Sequence, residues 1–427
     1  MADNSKVEQF KYVISEFFHR KWPDIKPREI ELPTDVDKVI ALFGVRRAGK
    51  TYVLYDTARK LLNQMPDRSV LYVNLDDDRL YPLSGKDMQA LVDAWFELAP
   101  ESRKSMCYLL LDEVQVVADW ERFVRRLHDS GQFRVFVTGS SSSIRADKIA
   151  TSLRGRTLTY ELFPLSFREF LQFHGVEPSL HIFYSPDRYD VMALLKKYIE
   201  YGGFPEVVLA PEPLKKKILQ EYLRFMFYND VVEQYNVRNR RLARHLLLKL
   251  LSNIGTVFSV AGLYKCLKQR FAVSRDTIAE YIQYMCEAGL FREVRKFSMS
   301  VREQETSRPK YYCVDVGLVK AGAFVLLQQT GRLVENIVCL ELLRRGFEVY
   351  YWKAKHEVDF VVAKGSEVEL INVHWASTVH PRELKGFEEF KKVYPALRPV
   401  CTLITSDLEG RQDGARMVPL LRWLVNM

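Results

Sequence analysis

The chain has 427 residues, 48% apolar and 27% charged, which is typical of a globular protein too long for one compact core. No apolar run approaches the length of about 18 residues needed to cross a bilayer, and the N-terminal residues are polar, so neither a membrane protein nor a secreted protein is expected. Six scattered cysteines, without a Cys-x-x-Cys pair, indicate neither a zinc ribbon nor a disulfide framework. We expect a cytoplasmic, reduced protein of about three domains.

Basic residues are in moderate excess. Lysine and arginine number 63 against 54 acidic residues, a formal net charge of +9. This balance permits a nucleic-acid partner but does not require one, and a basic solvated surface without a polyanionic partner is the alternative.

The first 160 residues alternate short apolar runs with helical patterns. Strands are predicted over residues 38–43, 69–75, 107–111, 133–138 and 157–162, and a helix over 51–64. Strands that alternate with helices favour an α/β fold with a parallel sheet covered on both faces.

A glycine-bearing loop joins the first strand to the first helix and fits the pattern Gly-x-x-x-x-Gly-Lys-Thr. The predicted nucleotide-binding residues are Gly44, Val45, Arg46, Arg47, Ala48, Gly49, Lys50, Thr51 and the following Tyr52. Free amides of such a loop and the helix N-terminus cradle phosphates. We predict that the site takes ATP, with Lys50 bridging the β- and γ-phosphates and Thr51 ligating Mg²⁺. A glycine turn that merely precedes a lysine is the alternative.

An acidic pair follows a run of three leucines in the third strand. Asp112 would lie at the carboxyl end of that strand and bind Mg²⁺, and Glu113 would polarise the attacking water. Glu113 could instead be an ordinary helix-entry residue. The next strand ends at Thr138, and this residue or Ser140 is predicted to lie near the γ-phosphate, with an ordinary serine-rich loop as the alternative.

Arginines near the predicted site are candidates for stabilising charge in phosphoryl transfer. Arg156 is the predicted catalytic residue, Arg154 lies beside it, and Arg46 and Arg47 of the loop compete for the same role. A surface salt bridge is the alternative for each of them. The sequence leaves the oligomeric state open, and with it whether Arg154 or Arg156 acts within its own chain or on a neighbour.

The rest of the chain begins helical and ends as a second α/β unit. Helices are predicted over 166–173, 189–201 and 215–228, then over 241–253, 260–268 and 274–288, followed by a hairpin of strands 291–297 and 310–314. Three helices and a two-stranded wing are typical of a winged helix. The last hundred residues predict a helix over 334–345, strands over 348–352, 358–363 and 367–374, a helix over 382–393 and a strand over 400–405.

These motifs, in this order, resemble those of prokaryotic AAA-type ATPases with a C-terminal restriction-endonuclease-like domain of unknown function. Besides the loop and the acidic pair, the matching stretches are residues 138–141, 153–156, 163–170, Tyr201-Gly202-Gly203-Phe204-Pro205-Glu206, Val334-Glu335-Asn336 and Glu357-Val358-Asp359-Phe360. The resemblance implies ATP binding and hydrolysis. It also implies a P-loop core (1–160), a helical lid (161–237), a winged helix (238–322) and a degenerate nuclease-like domain (323–427).

A nuclease of that fold needs carboxylates and a Glu-x-Lys element that converge on Mg²⁺. Glu335 and Asp359 stand at matching positions, but the third element is Asn372 and His374, a neutral amide and a weakly charged imidazole. We therefore predict an inactive nuclease, although Lys385 could in principle replace the missing ammonium.

The winged helix is the predicted site of non-specific DNA binding. Its third helix is rich in acidic residues, which argues against base reading. The wing carries Arg292, Arg295, Lys296, Arg302, Arg308 and Lys310, with Lys265, Lys268 and Arg270 nearby in sequence, while Glu293, Glu303 and Glu305 dilute this charge. Such residues can neutralise phosphates, although winged helices also dock proteins.

The leading functional prediction is an ATPase whose nucleotide state controls the appended modules, which engage DNA or a protein partner. One alternative is an ATP-bound signalling or scaffold switch with negligible turnover. Another is a Mg²⁺-dependent nuclease with Lys385 as a migrated catalytic lysine.

Overall fold

Five parallel strands form the sheet of the first half of the chain. The computed structural model describes residues 4–65, 68–140, 153–322, 330–365, 367–376, 378–379 and 382–426, so Ser141 and the serines after it lie outside the described residues. The strands are β1 (Val39–Gly44), β2 (Val70–Asn74), β3 (Cys107–Asp112), β4 (Phe133–Ser140) and β5 (Thr157–Leu162), in the order β2-β3-β4-β1-β5. The predicted parallel α/β core is confirmed, and β4 lies between β1 and β3.

Helices cover this sheet. They are α1 (Asn4–Phe18), α2 (Lys50–Leu62), α3 (Met88–Leu98) and α4 (Trp120–Asp129). All six residues of β3 are buried, as expected for a parallel strand with apolar contacts on both faces. Helix α1, which the sequence analysis did not predict, packs on α3 and β2.

The chain divides into two compact units, Met1–Phe163 and Pro164–Met427. The predicted division into four domains stays a prediction. The second unit begins with α5 (Phe167–Phe173), α6 (Arg188–Tyr201), α7 (Pro205–Leu209) and α8 (Glu212–Phe225), which runs into a π-helical segment, Met226–Glu233. Then follow α9 (Arg240–Ser252), α10 (Val260–Leu267) and α11 (Arg275–Glu287), close to the predicted bounds.

One mixed sheet of eight strands organises the rest of the second unit. Its strands are β6 (Phe291–Lys296), β7 (Lys310–Cys313), β8 (Glu348–Lys353), β9 (Glu357–Lys364), β10 (Glu367–His374), β11 (Val400–Thr405), β12 (Gly410–Gln412) and β13 (Ala415–Pro419). The helices are α12 (Val301–Thr306), α13 (Val316–Gly322), α14 (Thr330–Arg344), α15 (Arg382–Val393) and α16 (Leu420–Val425). The strand order is β12-β13-β11-β10-β9-β8-β6-β7.

The hairpin β6–β7, predicted as a separate wing, is the end of this sheet. Strand β6 pairs in parallel with β8 through Arg295 opposite Tyr350 and Lys296 opposite Tyr351. The amide of Phe297 continues the ladder by donating to the carbonyl of Tyr351 at 2.7 Å. Pairing satisfies main-chain groups that an edge strand would leave open. The loop predicted between the two strands also contains α12.

Asp315, between β7 and α13, joins two distant parts of the second unit. Its carboxylate accepts from the amides of Gly203 at 2.7 Å and Gly317 at 2.8 Å. Gly202 has a φ of 72°, and a Cβ there would lie 1.9 Å from an Asp315 oxygen, so only glycine fits. The Gly-Gly of the Gly-Gly-Phe-Pro-Glu motif therefore serves this junction.

Burial raises the pKa of Asp315 to about 6, although these amides favour the ionised form. An acid whose pKa is higher in the folded chain stabilises the fold most at low pH, and this stabilisation is lost as the pH rises through about 6. In urea unfolding of the full chain, we expect the penalty of Asp315→Asn to shrink by about 2 kcal/mol between pH 4.5 and 7. A loss of stability in Asp315→Asn that stays constant, or grows, over this pH range would contradict the raised pKa of the buried Asp315 carboxyl.

Among the described residues, no helix is long and apolar enough to cross a bilayer.

Candidate functional site

The glycine-bearing loop lies where β1 ends and α2 begins, as its sequence predicts. The Lys50 side chain is buried, and its Nζ donates to the carbonyls of Gly44 at 3.1 Å and Val45 at 3.2 Å. A Cβ on Gly44 would lie 2.2 Å from the Leu162 carbonyl of β5, so the loop can leave the sheet at this point only with glycine. The backbone therefore holds an ammonium inside the loop.

The hydroxyl of Thr51 and the carboxylate of Asp112 meet across the ends of two strands. Thr51 Oγ1 donates to Asp112 Oδ2 at 2.7 Å. This contact arises because β3 ends at the same sheet edge as β1, with β4 between them. Asp112 is buried, and the Tyr72 hydroxyl also donates to its Oδ2, at 2.9 Å. The predicted metal ligands Thr51 and Asp112 are thus brought together.

Thr138, at the end of β4, completes this group. Its hydroxyl hydrogen-bonds Asp112 Oδ1 and accepts from the amide of Glu113 at 3.2 Å. Glu113 has a left-handed backbone, with φ of 56°, and its carboxylate accepts from the Gln115 side chain. Thr138 therefore orients both members of the acidic pair. The structure brings Lys50, Thr51, Asp112, Glu113 and Thr138 to one sheet edge.

Two contributors to the site lie outside any motif, and the sequence analysis missed both. Arg28, in the segment before β1, donates to the carbonyls of Ala48 at 2.8 Å and Phe163 at 2.9 Å, which ties the loop to the strand β5 side of the sheet. Tyr72 of β2 points at Asp112, and burial together with that carboxylate raises the pKa of Tyr72. An isolated arginine and a strand tyrosine carry no spacing signal that could have identified them.

A cavity of about 140 Å³ lies beside the loop, between α2 and the segment that precedes β1. Tyr52, predicted to contact nucleotide, lines it together with Arg28, Ile30 and Leu32 of the preceding segment. Charged side chains line the end farther along α2, among them Asp56 and Lys60. The cavity therefore offers an apolar and aromatic wall close to the loop.

The predicted catalytic Arg156 is not brought to the loop of its own chain. Its Nε donates to Asp129 Oδ1 at 2.6 Å, and its guanidinium lowers the pKa of that carboxyl. The Arg156 carbonyl accepts from the amide of Val39, the first residue of β1. The glycine-bearing loop begins at the other end of β1, roughly 20 Å from Val39 along the strand. Within one chain, Arg156 forms a surface ion pair.

A second group of charged side chains lies in the other unit, around a buried ammonium. Lys310 of β7 is 0% exposed. Its Nζ lies 2.7 Å from Glu357 Oε1, 2.9 Å from Glu335 Oε1 and 3.6 Å from Asp359 Oδ1. The Tyr312 hydroxyl donates to the same Glu335 oxygen at 2.6 Å. Glu335 and Asp359 thus converge as predicted, and we call this group the Lys310 cluster.

The ammonium of this cluster comes from an unexpected residue. Lys385, the sequence-based candidate, is exposed on α15, while Lys310, counted as a DNA-contacting residue of the wing, is buried. The prediction that Lys310 contacts phosphate is therefore wrong, because its side chain is enclosed by carboxylates. One feature of the sequence indicates that Lys310 is buried, namely its position at the start of a strand with two tyrosines, Lys310–Cys313.

Asn372 and His374 hold main-chain groups. Asn372 accepts from the Asp359 amide at 2.9 Å and donates to the Glu383 carbonyl at 2.7 Å. A ring nitrogen of His374 lies 2.7 Å from the Thr378 carbonyl. Asp359 also accepts from the Val373 amide at 2.9 Å. The predicted third nuclease element therefore fixes β10 in place.

The charges of the Lys310 cluster are strongly coupled. Burial opposes the charged form of Lys310, but the carboxylates of Glu335, Asp359 and Glu357 outweigh it and raise its pKa. Burial and the Glu335 carboxylate raise the pKa of Asp359 to about 7. The pKa of Glu357 is lowered because the ammonium outweighs burial. The ammonium fills the space where the carboxylates converge, so these residues do not fit a divalent cation, and the described residues contain no other metal-binding cluster of histidine, cysteine or acidic residues.

Comparison with protein families divides the chain into three segments. Residues 36–171 match an AAA domain, residues 192–327 match the domain of unknown function DUF8612, and residues 330–423 match the domain of unknown function DUF4143. The AAA match contains the loop, the acidic pair and Thr138.

Two curated relatives match nearly the whole chain. The uncharacterised protein MJ1544 of Methanocaldococcus jannaschii is 34% identical over 93% of this chain and 90% of its own length. The chain belongs to the MJ1544 family. An uncharacterised protein of Haemophilus influenzae is 28% identical over 92% of this chain and 95% of its own. Proteins similar to this chain therefore occur in an archaeon and in a bacterium.

Among solved structures, the Aeropyrum pernix ORC1 protein in complex with DNA is similar over 74% of this chain and 91% of its own, with 12% identity and a TM-score of 0.33.

Proposed function

We propose that this member of the MJ1544 family binds and hydrolyses ATP at the loop of residues 44–51. The proposal is carried by one observation, the 2.7 Å contact between Thr51 and Asp112 beside the buried ammonium of Lys50. The match to an AAA domain over residues 36–171 supports it.

The donors at this site suit magnesium. A hydroxyl and a carboxylate are hard oxygen ligands, and Mg²⁺ near bound phosphates takes few protein ligands and keeps several waters. Thr51 and Asp112 would hold it, and when bound it supplies charge neutralisation to the phosphates. Their oxygens already adjoin at 2.7 Å.

The other residues divide the remaining tasks. Lys50 supplies positive charge from inside the loop, and the free main-chain amides of the loop would hold phosphate oxygens. Glu113, the half-buried member of the acidic pair, is the base that orients water. Thr138 holds Asp112 and the Glu113 amide together, and we propose that it transmits the nucleotide state to β4. Tyr52 and the apolar wall of the cavity are proposed to contact the base and ribose.

We further propose that nucleotide state controls the second unit, which engages DNA or a protein partner in the cytoplasm. The helices α9 to α11 with the hairpin β6–β7 are proposed to form the winged helix. Arg156 pairs with Asp129 within its chain, so we propose that it acts in phosphoryl transfer only on a neighbouring chain of an oligomer.

A turnover assay separates hydrolysis from a binding switch. In a phosphate-release assay with Mg²⁺, Glu113→Gln is expected to lower the rate by about 10²-fold or more while ATP binding, followed by calorimetry, is retained, because the base is lost and the loop is untouched. Glu121→Gln, which changes a half-buried acid on α4, is the control and should match the wild type. Tight ATP binding with slow release that is unchanged in Glu113→Gln would instead establish the switch.

Nuclease activity is the second candidate, because Glu335 and Asp359 converge. The helix α14, the meander β8–β10, helix α15 and strand β11 parallel to β10 also follow the order predicted for a restriction-endonuclease-like domain. We propose that the activity is absent, because Lys310 fills the carboxylate group. Plasmid nicking with Mg²⁺ or Mn²⁺ that is abolished by Asp359→Ala would overturn this.

A further inference from the structure

The net charge of the chain comes from one short segment. Residues 234–275 hold nine of the 63 lysines and arginines and none of the 54 acidic residues, so the remainder of the chain has 54 of each sign. We call residues 234–275 the basic segment. It contains α9 and α10 and ends at the first residue of α11, all in the second unit.

The basic side chains of this segment are available for binding. All of them are exposed: Arg238, Arg240, Arg241, Arg244, Lys249, Lys265, Lys268, Arg270 and Arg275. Among the described residues, none of the nine forms an ion pair, and Arg275 contacts the Tyr264 ring at 5.5 Å. Their electric field is therefore not cancelled locally.

The predicted wing differs in this respect. Arg295 pairs with Glu293 at 2.8 Å, Lys296 pairs with Glu303 at 2.9 Å, and Lys310 is buried in its cluster. These cations are neutralised within the protein. Of the cations of the predicted wing, the exposed Arg302 and Arg308 form no ion pair with another described residue, so the basic segment, with nine such residues, holds the larger unpaired charge.

Helix stability does not explain this placement. Arg240 and Arg241 occupy the first turn of α9, where the positive end of the helix dipole disfavours cations. Asn239 caps the helix by accepting from the Leu242 amide at 3.0 Å. Cations that oppose the dipole, and that also repel one another one turn apart, are costly unless an anion binds them.

The two helices contribute to a continuous basic surface. Both α9 and α10 pack on α11. Burial lowers the pKa of His245 on α9, and so do the charges of Lys249 and of Arg270, which lies just after α10. The rings of His245 and Phe271 lie 6.2 Å apart. Arg241, His245 and Lys249 follow one another at intervals of four residues along α9, so they line one side of the helix.

The surroundings of these cations select the class of partner. A membrane-binding helix would expose apolar side chains between its cations, but Leu248 is the one large apolar residue exposed in residues 234–275. Single strands are held by exposed aromatic rings, and the aromatic side chains of the basic segment are all buried or half-buried. Dense, unpaired arginine and lysine without stacking rings suit the phosphate backbone of a duplex.

We propose that the basic segment binds the phosphate backbone of duplex DNA without reading its sequence. The proposal rests on the part of the proposed function in which the second unit engages DNA, and it is independent of ATP hydrolysis. The hairpin then contributes little to the affinity.

Fluorescence anisotropy with the full chain and a mixed-sequence duplex of about 30 base pairs tests this, without nucleotide and from 50 to 200 mM KCl. Arg241→Glu/Arg244→Glu is expected to weaken binding about tenfold or more at low salt and to flatten the slope of log K against log salt by about 2. The matched control is Arg302→Glu/Arg308→Glu on the hairpin loop, which makes the same charge change at exposed sites and should stay within about twofold of the wild type.

Several outcomes would overturn the proposal. They are an equal loss in both variants, no duplex binding at 50 mM salt, and tighter binding of duplex RNA, of an acidic polypeptide such as polyglutamate, or of anionic vesicles than of duplex DNA. Thermal melting checks that both variants are folded. DNA-free phosphate release of Arg241→Glu/Arg244→Glu should equal that of the wild type, so a failure of hydrolysis and a failure of DNA binding are distinguishable.

Discussion

Lys50→Ala should reduce the rate of phosphate release by about 10²-fold or more, because one preorganised positive charge is removed from the site where negative charge develops in phosphoryl transfer. The ammonium is buried and is held by the carbonyls of Gly44 and Val45. We expect nucleotide affinity to fall as well, since Lys50 also contacts phosphate in the proposed bound state.

The control for this variant is Lys38, which directly precedes β1. Its side chain is half-buried and donates to the Gly155 carbonyl. Lys38→Ala makes the same chemical change at the opposite edge of the sheet, and its rate should remain within about twofold of the wild type. Rates that are equal in Lys50→Ala and the wild type would end the ATPase proposal.

Lys310→Met should destabilise the second unit by about 3–5 kcal/mol, because it leaves three partly buried carboxylates without their counter-charge. The loss should be largest at neutral to alkaline pH. Without the ammonium, the pKa of Glu357, which the ammonium holds low, rises, and the pKa of Asp359, already raised to about 7, rises further, so the variant gains stability on acidification. Urea unfolding at pH 5 and pH 8 measures the difference from the wild type.

A second lysine of the same unit provides the comparison. Lys320 pairs with Glu200 at 2.9 Å near the surface, and Lys320→Met should cost about 0–1 kcal/mol. Combining Lys310→Met with Glu335→Gln should restore part of the stability, since one of the repelling charges is removed. A loss in Lys310→Met no greater than that in Lys320→Met would show that the cluster does not need its ammonium.

The first site was predictable from sequence because its residues are fixed by local chain geometry. A strand, a glycine loop and a helix are consecutive in the chain, and a parallel sheet brings the ends of its strands to one edge. Loop residues 44–51, Asp112 and Thr138 therefore fall together once the strands are assigned. Arg28 and Tyr72 could not be predicted, because nothing in their own sequence neighbourhood specifies which loop or carboxylate they reach.

The Lys310 cluster shows the opposite situation. Glu335 and Asp359 were found from their motifs, but their cation comes from a strand that precedes them and was assigned to a different module. Which edge strand joins a sheet is decided by open main-chain groups and by packing, here Phe297 against Phe390 and Tyr394, between segments about 50 to 100 residues apart. A hydrophobic pattern indicates that a strand is buried, but it does not indicate which strand pairs with it.

The eight-stranded sheet determines where the second unit can be divided into fragments. The boundary between its two segments of unknown function, at residues 327 and 330, runs between β7 and β8, which lie on either side of β6 in one hydrogen-bonded array. A fragment ending there would carry a lone ammonium without its acids, and the complementary fragment would carry the acids without their cation. The two segments therefore share one sheet and one charge cluster, and we expect a cut between residues 327 and 330 to destabilise both fragments.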